Sequence, residues 1–245
     1  MVTVFHSSFF ILHSSLFMLS ILFEDYHCIA VNKPAPLLTQ APAGIDSLES
    51  RVRAYIKEKY AKPAGVYLGV PHRLDRPVSG VVLFARNTKA ARRLAEQFRH
   101  KQVEKVYWAI VQGDVAPAEG TLEDWLLKLP EQAKTEIASQ DTPGAKHAAL
   151  TYRVVQELSP GTLVEIRPLT GRAHQLRVQL ASRGWPILGD ALYGSAVSFG
   201  PNAAEPRERV IALHARSLTF QHPTTREALT ATAPLPAYWP SDLVG

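Results

Sequence analysis

The feature that most constrains this chain is a loop at residues 71–80 that runs directly into the apolar segment at residues 81–85. That segment has the length and the Val-rich composition of a buried β-strand, so the loop is expected to lead directly into a strand of the core. Prolines fix backbone angles in the loop, and Gly80 admits conformations that other residues avoid. The sequence therefore predicts that Asp75, in the middle of the loop, is presented at a fixed position.

Asp75 is flanked by basic residues, and this arrangement has two interpretations. Arg73 and Arg76 should favour the ionised form of Asp75, because a nearby positive charge stabilises a carboxylate. Clusters of this kind are often surface ion pairs at the entrance to a strand, and the loop alone favours that interpretation. The alternative is that the loop presents an ionised carboxylate for chemistry.

Basic residues are concentrated around Asp75. The 245-residue chain has a net charge of +5, yet residues 51–110 contain fourteen Lys or Arg and four acidic residues. Such a field indicates a polyanionic partner, most simply nucleic acid, although a solvated basic face without a partner is the alternative. A single cysteine, Cys28, excludes an internal disulfide and a Cys-rich metal site and fits a reducing compartment.

The rest of the chain alternates short apolar strands with a few helices. Ser47 is expected to cap a helix over residues 48–60, and Thr88 a second helix whose apolar positions recur at helical spacing. A strand with two apolar faces is predicted at residues 103–111. The other predicted elements are a strand at 28–31, a strand at 81–86, a hairpin and loops at 114–147, strands at 149–155 and 163–166, and a turn leading into a helix at 169–180. This mixture predicts an α+β fold.

The loop around Asp75 resembles the signature of the RluA family of pseudouridine synthases. The family motif is His-Arg-Leu-Asp, then two variable residues, then a residue that is usually Thr, and then Ser-Gly. This chain has the sequence HRLDRPVSG at residues 72–80. Val78 replaces the usual Thr, which keeps the β-branched shape and loses only a hydroxyl. Because the Asp of the motif is the family's catalytic residue, the resemblance implies that Asp75 is catalytic.

Two further family motifs follow in order. Residues 105–113, KVYWAIVQG, resemble Lys-x-Tyr-x-Ala-x-Val-x-Gly. Residues 169–180, LTGRAHQLRVQL, resemble Thr-Gly-Arg-x-His-Gln-Ile/Leu-Arg-x-His, with Gln179 where the last His is usual. The match continues through Asp190 and Tyr193, so that the resemblance spans residues 21–235.

The resemblance implies roles that the residue types alone would not. By type, Tyr107 would be a core residue, and His174 with Arg177 would be a surface pair. By resemblance, Tyr107 stacks on the target base and Arg177 pairs with the catalytic Asp75. The residues implied to contact substrate or RNA are Arg73, Arg76, Lys105, Arg172, His174, Gln175 and Leu213.

The implied reaction needs one ionised carboxylate. The bond from the ribose anomeric carbon to a uracil nitrogen breaks, the base turns, and the same ribose carbon is joined to ring carbon 5. The carboxylate acts either as a nucleophile on that carbon or as a base on the neighbouring ribose carbon, and the sequence leaves both open. The resemblance implies no metal ion or other cofactor, a mixed, largely antiparallel sheet with a central cleft, and structured RNA, ribosomal or transfer, as the partner.

Two other functions compete with this interpretation. A nucleoside hydrolase would use a second carboxylate opposite the first, and no second acid stands out near the motifs. A non-catalytic RNA-binding module of the same fold would need the basic residues and the aromatic residues but not Asp75.

The N-terminal segment is apolar, with no charged residue before Glu24. It resembles a signal peptide or a membrane anchor in composition, but no Lys or Arg precedes the apolar run, and His and Ser residues interrupt it. We interpret residues 1–17 as a non-structural N-terminal extension and residues 18–245 as the catalytic domain. We further expect a cytoplasmic monomer with no membrane association and no obligate protein partner.

The basic stretch predicts salt-sensitive RNA binding. If affinity for structured RNA draws on the Lys and Arg excess of residues 51–110, binding should weaken steeply as salt rises, because neutralised phosphates release counterions. Filter binding at several salt concentrations measures the effect. A flat plot of log affinity against log salt would support the solvated basic face instead.

Overall fold

The computed structural model describes residues 3–4 and 19–243. Its strands are β1 (Thr3–Val4), β2 (Ser20–Glu24), β3 (Cys28–Lys33), β4 (Ser79–Ala85), β5 (Glu104–Val111), β6 (Glu119–Leu129), β7 (Lys134–Ala138), β8 (Lys146–Leu158), β9 (Gly161–Pro168), β10 (Leu213–Gln221) and β11 (Ala228–Thr232). Its α-helices are α1 (Leu48–Lys59), α2 (Thr88–Arg99) and α3 (Gln175–Ala181), and short 3-10 helices lie at Pro130–Gln132, Ala191–Tyr193 and Pro206–Glu208.

The chain divides into two units, one built from residues up to Glu104 and from Ala215 onward, the other from Lys105–His214. In the first unit the strand order is β2-β3-β4-β10, and β11 pairs antiparallel with β10. In the second unit the order β5-β9-β8-β6-β7 is antiparallel throughout. The predicted α+β fold with a mixed, largely antiparallel sheet is confirmed.

Most of the predicted N-terminal extension lies outside the described residues. Thr3 and Val4 pair in parallel with Leu229 and Thr230 of β11. The assignment of residues 1–17 as a non-structural extension therefore stays a prediction. Within residues 3–4 and 19–243, the structure contains no helix of the length and apolar character needed to cross a bilayer.

Strand β4 forms the centre of the first unit, and every residue in it is buried. Val81 and Leu83 pack in a cluster with Leu94 of α2 and Phe220 of β10. Burying such side chains contributes roughly 1.5–3 kcal/mol each. Because β4 follows the Asp75 loop without a break, this core fixes one end of the loop.

The helix boundaries agree with the sequence predictions, apart from one cap. The Ser47 hydroxyl accepts from the Ser50 N–H and caps α1 as predicted. Helix α2 is capped by Asn87, whose side chain accepts from the Ala90 N–H, so the predicted Thr88 cap is wrong by one residue. Asn and Thr both favour this position, and only the backbone geometry selects Asn87, which is extended while Thr88 is already helical.

Gly80 allows β4 to approach β10 closely. Its φ is +117°, and a Cβ placed on it would lie 2.3 Å from the carbonyl oxygen of Ala215. No residue with a side chain fits this position without moving the backbone of β10. The glycine at the end of the Asp75 motif is therefore required by the packing of the strand that the loop enters.

We predict that Gly80→Ala destabilises the protein by more than about 3 kcal/mol, because the methyl group meets backbone atoms at a strained φ. Urea unfolding measures the change. Gly65→Ala is the matched control, since nothing lies within 4 Å of a Cβ there, and a change within about 1 kcal/mol is expected. Equal stability of the two variants would contradict the close approach.

Candidate catalytic site

The loop that carries Asp75 is attached to the core through His72. Its Nε2 accepts from the Leu83 N–H at 2.9 Å, and its ring stacks on Phe98 with centroids 4.6 Å apart. Acceptance at Nε2 assigns the ring proton to Nδ1 in the neutral form. Within the loop, the Val78 N–H donates to the Asp75 carbonyl at 3.2 Å. Half-buried Asp75 thus lies in a loop tied to β4 and α2.

Lys33, the last residue of β3, is fully buried beside this loop. Its Nζ donates to the carbonyl oxygens of Leu37 (2.7 Å), Pro34 (3.1 Å) and Arg76 (3.2 Å). Burial lowers the pKa of Lys33 to about 7, and the negative charge of Asp75 acts in the opposite direction. Three carbonyl oxygens match the three N–H donors of an ammonium group and offset part of the desolvation cost.

Lys33 was not among the predicted site residues. It lies two residues after the strand predicted at residues 28–31, and a lysine in such a position is normally solvated. The three carbonyl groups that surround it come from two loops, one of them distant in sequence. A lysine that ends a buried strand and precedes proline was the available signal.

The two arginines next to Asp75 differ in exposure. Arg73 is exposed, whereas Arg76 is half-buried. The Arg76 carbonyl accepts from both Lys33 and the Leu37 N–H, so the main chain after Asp75 is held in place. That these arginines keep Asp75 ionised, or contact RNA, stays a prediction.

In the second unit, Tyr107 and α3 share one face of the sheet. Tyr107 is aligned with Ile166, which is aligned with Tyr152, and aligned residues of antiparallel strands point to the same side. Leu126 of β6 lies on that side as well, by its register with β8, and it packs against Val178 of α3. The strand register therefore places the predicted stacking residue on the face that carries the third motif.

Arg177 of α3 is buried and held by side chains of its own unit. Its Nε and Nη2 donate to Asp190 at 2.7 and 2.8 Å, and its guanidinium carbon lies 5.0 Å from the centre of the Tyr193 ring. Bidentate pairing fixes the plane of a guanidinium group, and an aromatic face adds to this. Asp190 and Tyr193 were part of the matched sequence without a role, and the structure shows that they orient Arg177.

Tyr193 links Arg177 to two other elements. Its hydroxyl accepts from the Thr135 N–H of β7 at 3.0 Å and lies 2.9 Å from His174 Nδ1. His174 adopts a left-handed backbone, φ 51°, directly before α3. The candidate RNA-binding residue His174 is therefore a neighbour of the Arg177 cluster.

The other candidates of the second unit lie in two places. Gln175 Oε1 accepts from the Thr170 hydroxyl (2.7 Å) and the Arg172 N–H (3.0 Å), so this buried amide holds the motif turn together. Arg172 itself is exposed. Lys105 is half-buried, with its Nζ 3.9 Å from where a Cβ on Gly171 of the same turn would lie, and burial lowers its pKa. Leu213 is buried at the start of β10. Contacts of these residues with RNA stay predictions.

Gln179, where the family usually has His, has a structural contact. Its Nε2 donates to Asp124 Oδ2 at 2.7 Å, and Arg183 donates to the other oxygen of the same carboxylate at 2.9 Å. The departure from the motif therefore lies at a partly buried hydrogen bond between α3 and β6.

Among the described residues, one group of metal-ligand side chains lies close together: Asp25, Cys28 and His222, with ligand atoms within 4.8 Å. His222 Nε2 lies 2.8 Å from Asp25 Oδ2, and its Nδ1 accepts from the Thr225 N–H at 2.9 Å. Both imidazole nitrogens are thus in use. Burial raises the pKa of the Cys28 thiol, which disfavours the thiolate that binds metals. The group joins two turns and does not fit a metal site.

Several cations of the basic stretch form ion pairs with acids that lie outside it. Arg51 pairs with Asp46 and Arg53 with Glu49, while Glu24 of β2 accepts from both Lys59 and Arg86. The positive field of residues 51–110 is therefore weaker than the sequence count implies.

Comparison with known proteins identifies the class. A family model described as RNA pseudouridylate synthase matches residues 27–182. The chain is 36% identical over 222 residues to the dual-specificity RNA pseudouridine synthase RluA of Escherichia coli strain K12, which covers 88% of this chain and 93% of the relative. It is 34% identical to the tRNA pseudouridine synthase C of Yersinia pestis (88% and 86% covered) and 31% identical to the ribosomal large subunit pseudouridine synthase C of Vibrio vulnificus (88% and 65%).

A solved structure agrees. Human RNA pseudouridylate synthase domain containing 4 superposes with a TM-score of 0.73 at 26% identity and covers 89% of each chain. The fold and its sequence motifs thus define an RNA pseudouridine synthase, an isomerase. The chain belongs to the RluA family of these enzymes, which confirms the resemblance seen in its three motifs.

The buried Lys33 predicts a dependence of stability on pH. An unfolded lysine keeps its proton to about pH 10, whereas folded Lys33 has a pKa of about 7. Between these values the unfolded state binds more protons, so the free energy of unfolding should rise with pH, by at most about 1.4 kcal/mol per unit. Below pH 7 this contribution is constant.

Urea unfolding at pH 6 to 10, of the native chain and of Lys33→Met, measures this effect. The difference between the two curves isolates Lys33, because all other titrating groups are shared. Parallel curves across this range would contradict the lowered pKa.

Proposed function

We propose that this enzyme converts uridines of structured RNA, ribosomal or transfer, to pseudouridine, with Asp75 as its catalytic carboxylate. The observation that carries the proposal is that Asp75, which matches the Asp of the family motif, lies in a loop held by hydrogen bonds with Leu83 of β4 and with Lys33 of β3. The named relatives from Yersinia pestis and Vibrio vulnificus support transfer and ribosomal RNA as the substrate classes.

In this proposal Asp75 acts at the ribose of the target uridine. As a nucleophile it attacks the anomeric carbon and displaces uracil, and as a base it removes a proton from the neighbouring ribose carbon. In either case the bond to the ring nitrogen breaks, and ring carbon 5 then bonds to the same ribose carbon. In the first route this displaces the Asp75 carboxylate from the anomeric carbon, and in the second Asp75 returns the proton to the neighbouring ribose carbon. Carbon 5 then loses its proton, and the freed ring nitrogen gains one. No electron acceptor is needed.

Tyr107 and Arg177 complete the proposed machinery. A tyrosine ring can stack on a uracil that has left the RNA stack, and Tyr107 is half-buried on the α3 face of its sheet. The Arg177 guanidinium has a fixed orientation because Asp190 holds it in bidentate fashion. A preorganised cation next to the carboxylate would stabilise its charge during the reaction, as the family resemblance implies.

The proposal includes the conditions under which the enzyme works. The buried, unpaired Cys28 fits a reducing compartment such as the cytoplasm. We retain the expectation of a monomer that acts without an obligate protein partner. The exposed basic residues of the motifs, Arg73 and Arg172, would contact phosphates of the RNA backbone and position it.

Asp75→Asn should abolish pseudouridine formation and leave RNA affinity within about threefold, because positioning comes mainly from phosphate contacts. Release of tritium from RNA labelled at uridine carbon 5 measures activity, and filter binding measures affinity. Asp114→Asn, at an exposed loop position, is the matched control and should retain activity. Substantial release by Asp75→Asn would exclude Asp75 as the catalytic residue. No release by the native chain would favour the RNA-binding module.

A further inference from the structure

Thr39 lies outside the three motifs, in the loop between β3 and α1, and only 3% of it is exposed. Its hydroxyl donates to the Leu74 carbonyl at 2.9 Å and accepts from the Leu74 N–H at 3.0 Å. One side chain therefore satisfies both main-chain polar groups of the residue directly before Asp75.

The loop that contains Thr39 and the loop that contains Asp75 run antiparallel at this point. The Leu37 N–H donates to the Arg76 carbonyl at 3.1 Å, and Thr39, two residues after Leu37, bonds to Leu74, two residues before Arg76. Asp75 thus lies between two anchored neighbours. At Arg76 a main-chain N–H provides the bond, whereas at Leu74 the Thr39 hydroxyl replaces the main-chain groups of a strand partner.

Thr39 is itself held by a helix. Its carbonyl accepts from the Glu49 N–H at 3.0 Å, and the Leu38 carbonyl accepts from the Leu48 N–H at 2.8 Å. These N–H groups belong to the first turn of α1, which has no acceptors of its own for them. A continuous path of hydrogen bonds therefore leads from α1 through Thr39 to the main chain at Asp75.

We propose that Thr39 is a positioning residue for catalysis, which fixes the Asp75 carboxylate by holding the main chain of Leu74. The inference rests on the proposed function of Asp75. Thr39 does not touch the reacting atoms, so its loss should reduce the rate of the chemical step and not the binding of RNA. A displacement of about 1 Å at a reacting group is enough to cost about 100-fold in rate.

The test compares Thr39→Val, which keeps the shape and removes the hydroxyl, with Thr39→Ser, which keeps the hydroxyl. Thr39→Ala is a second variant without the hydroxyl and with less bulk, and Thr121→Val, at an exposed position of β6, is the control for Thr-to-Val replacement. Tritium release gives kcat and KM, thermal melting gives stability, and hydrogen exchange of the Leu74 amide reports on the loop independently of activity.

For Thr39→Val we expect kcat to fall by about 10- to 100-fold with KM within about threefold, and the Leu74 amide to exchange at least about tenfold faster. Thr39→Ser should recover most of both values. Thr39→Val with native kcat and native exchange would overturn the proposal, as would failure of both Val and Ala variants to fold, since the hydroxyl would then be a requirement of the fold. If the native chain releases no tritium, the proposed function fails, while the exchange data still decide whether Thr39 holds the loop.

Discussion

The buried ammonium group of Lys33 ties the Asp75 loop to the end of β3. Removing a lysine from water is costly, and the protein offsets this by giving its three N–H groups three carbonyl oxygens. One of these carbonyls belongs to Arg76, directly after Asp75. The Lys33 ammonium group therefore anchors the loop and also interacts electrostatically with the Asp75 carboxylate.

The second unit uses the same principle for Arg177. The Asp190 carboxylate, 1% exposed, binds two of its nitrogens, and the Tyr193 ring lies against its guanidinium. Removing one partner of a buried ion pair generally costs about 3–5 kcal/mol, because the other charge remains buried. In the first unit the main chain on both sides of Asp75 is held, and in the second unit the Arg177 side chain is held. Such preorganisation is what a catalytic site requires of its charged groups.

The basic stretch shows how tertiary contacts modify a property counted from sequence. Glu24 lies before the stretch and accepts from Lys59 and Arg86, with Tyr55 and Tyr60 donating to the same carboxylate. These contacts lower the pKa of Glu24 against the effect of its burial. Part of the basic excess therefore stabilises the packing of β2 on α1, and only the remainder is available for phosphate groups.

The sequence by itself determined the family, the α+β class and most element positions, and it singled out Asp75 as the candidate catalytic residue, because motifs and apolar periodicity are local patterns. Ser47 as a cap and α3 after the turn at residues 169–172 follow from such patterns. Lys33, Asp190, Tyr193 and Thr39 were assigned roles only by the tertiary structure. Their partners, such as Leu74 for Thr39, are distant along the chain, and a buried hydrogen bond depends on which atoms the fold brings within about 3 Å. The sequence states which side chains carry donors and acceptors, and the fold decides which of them meet.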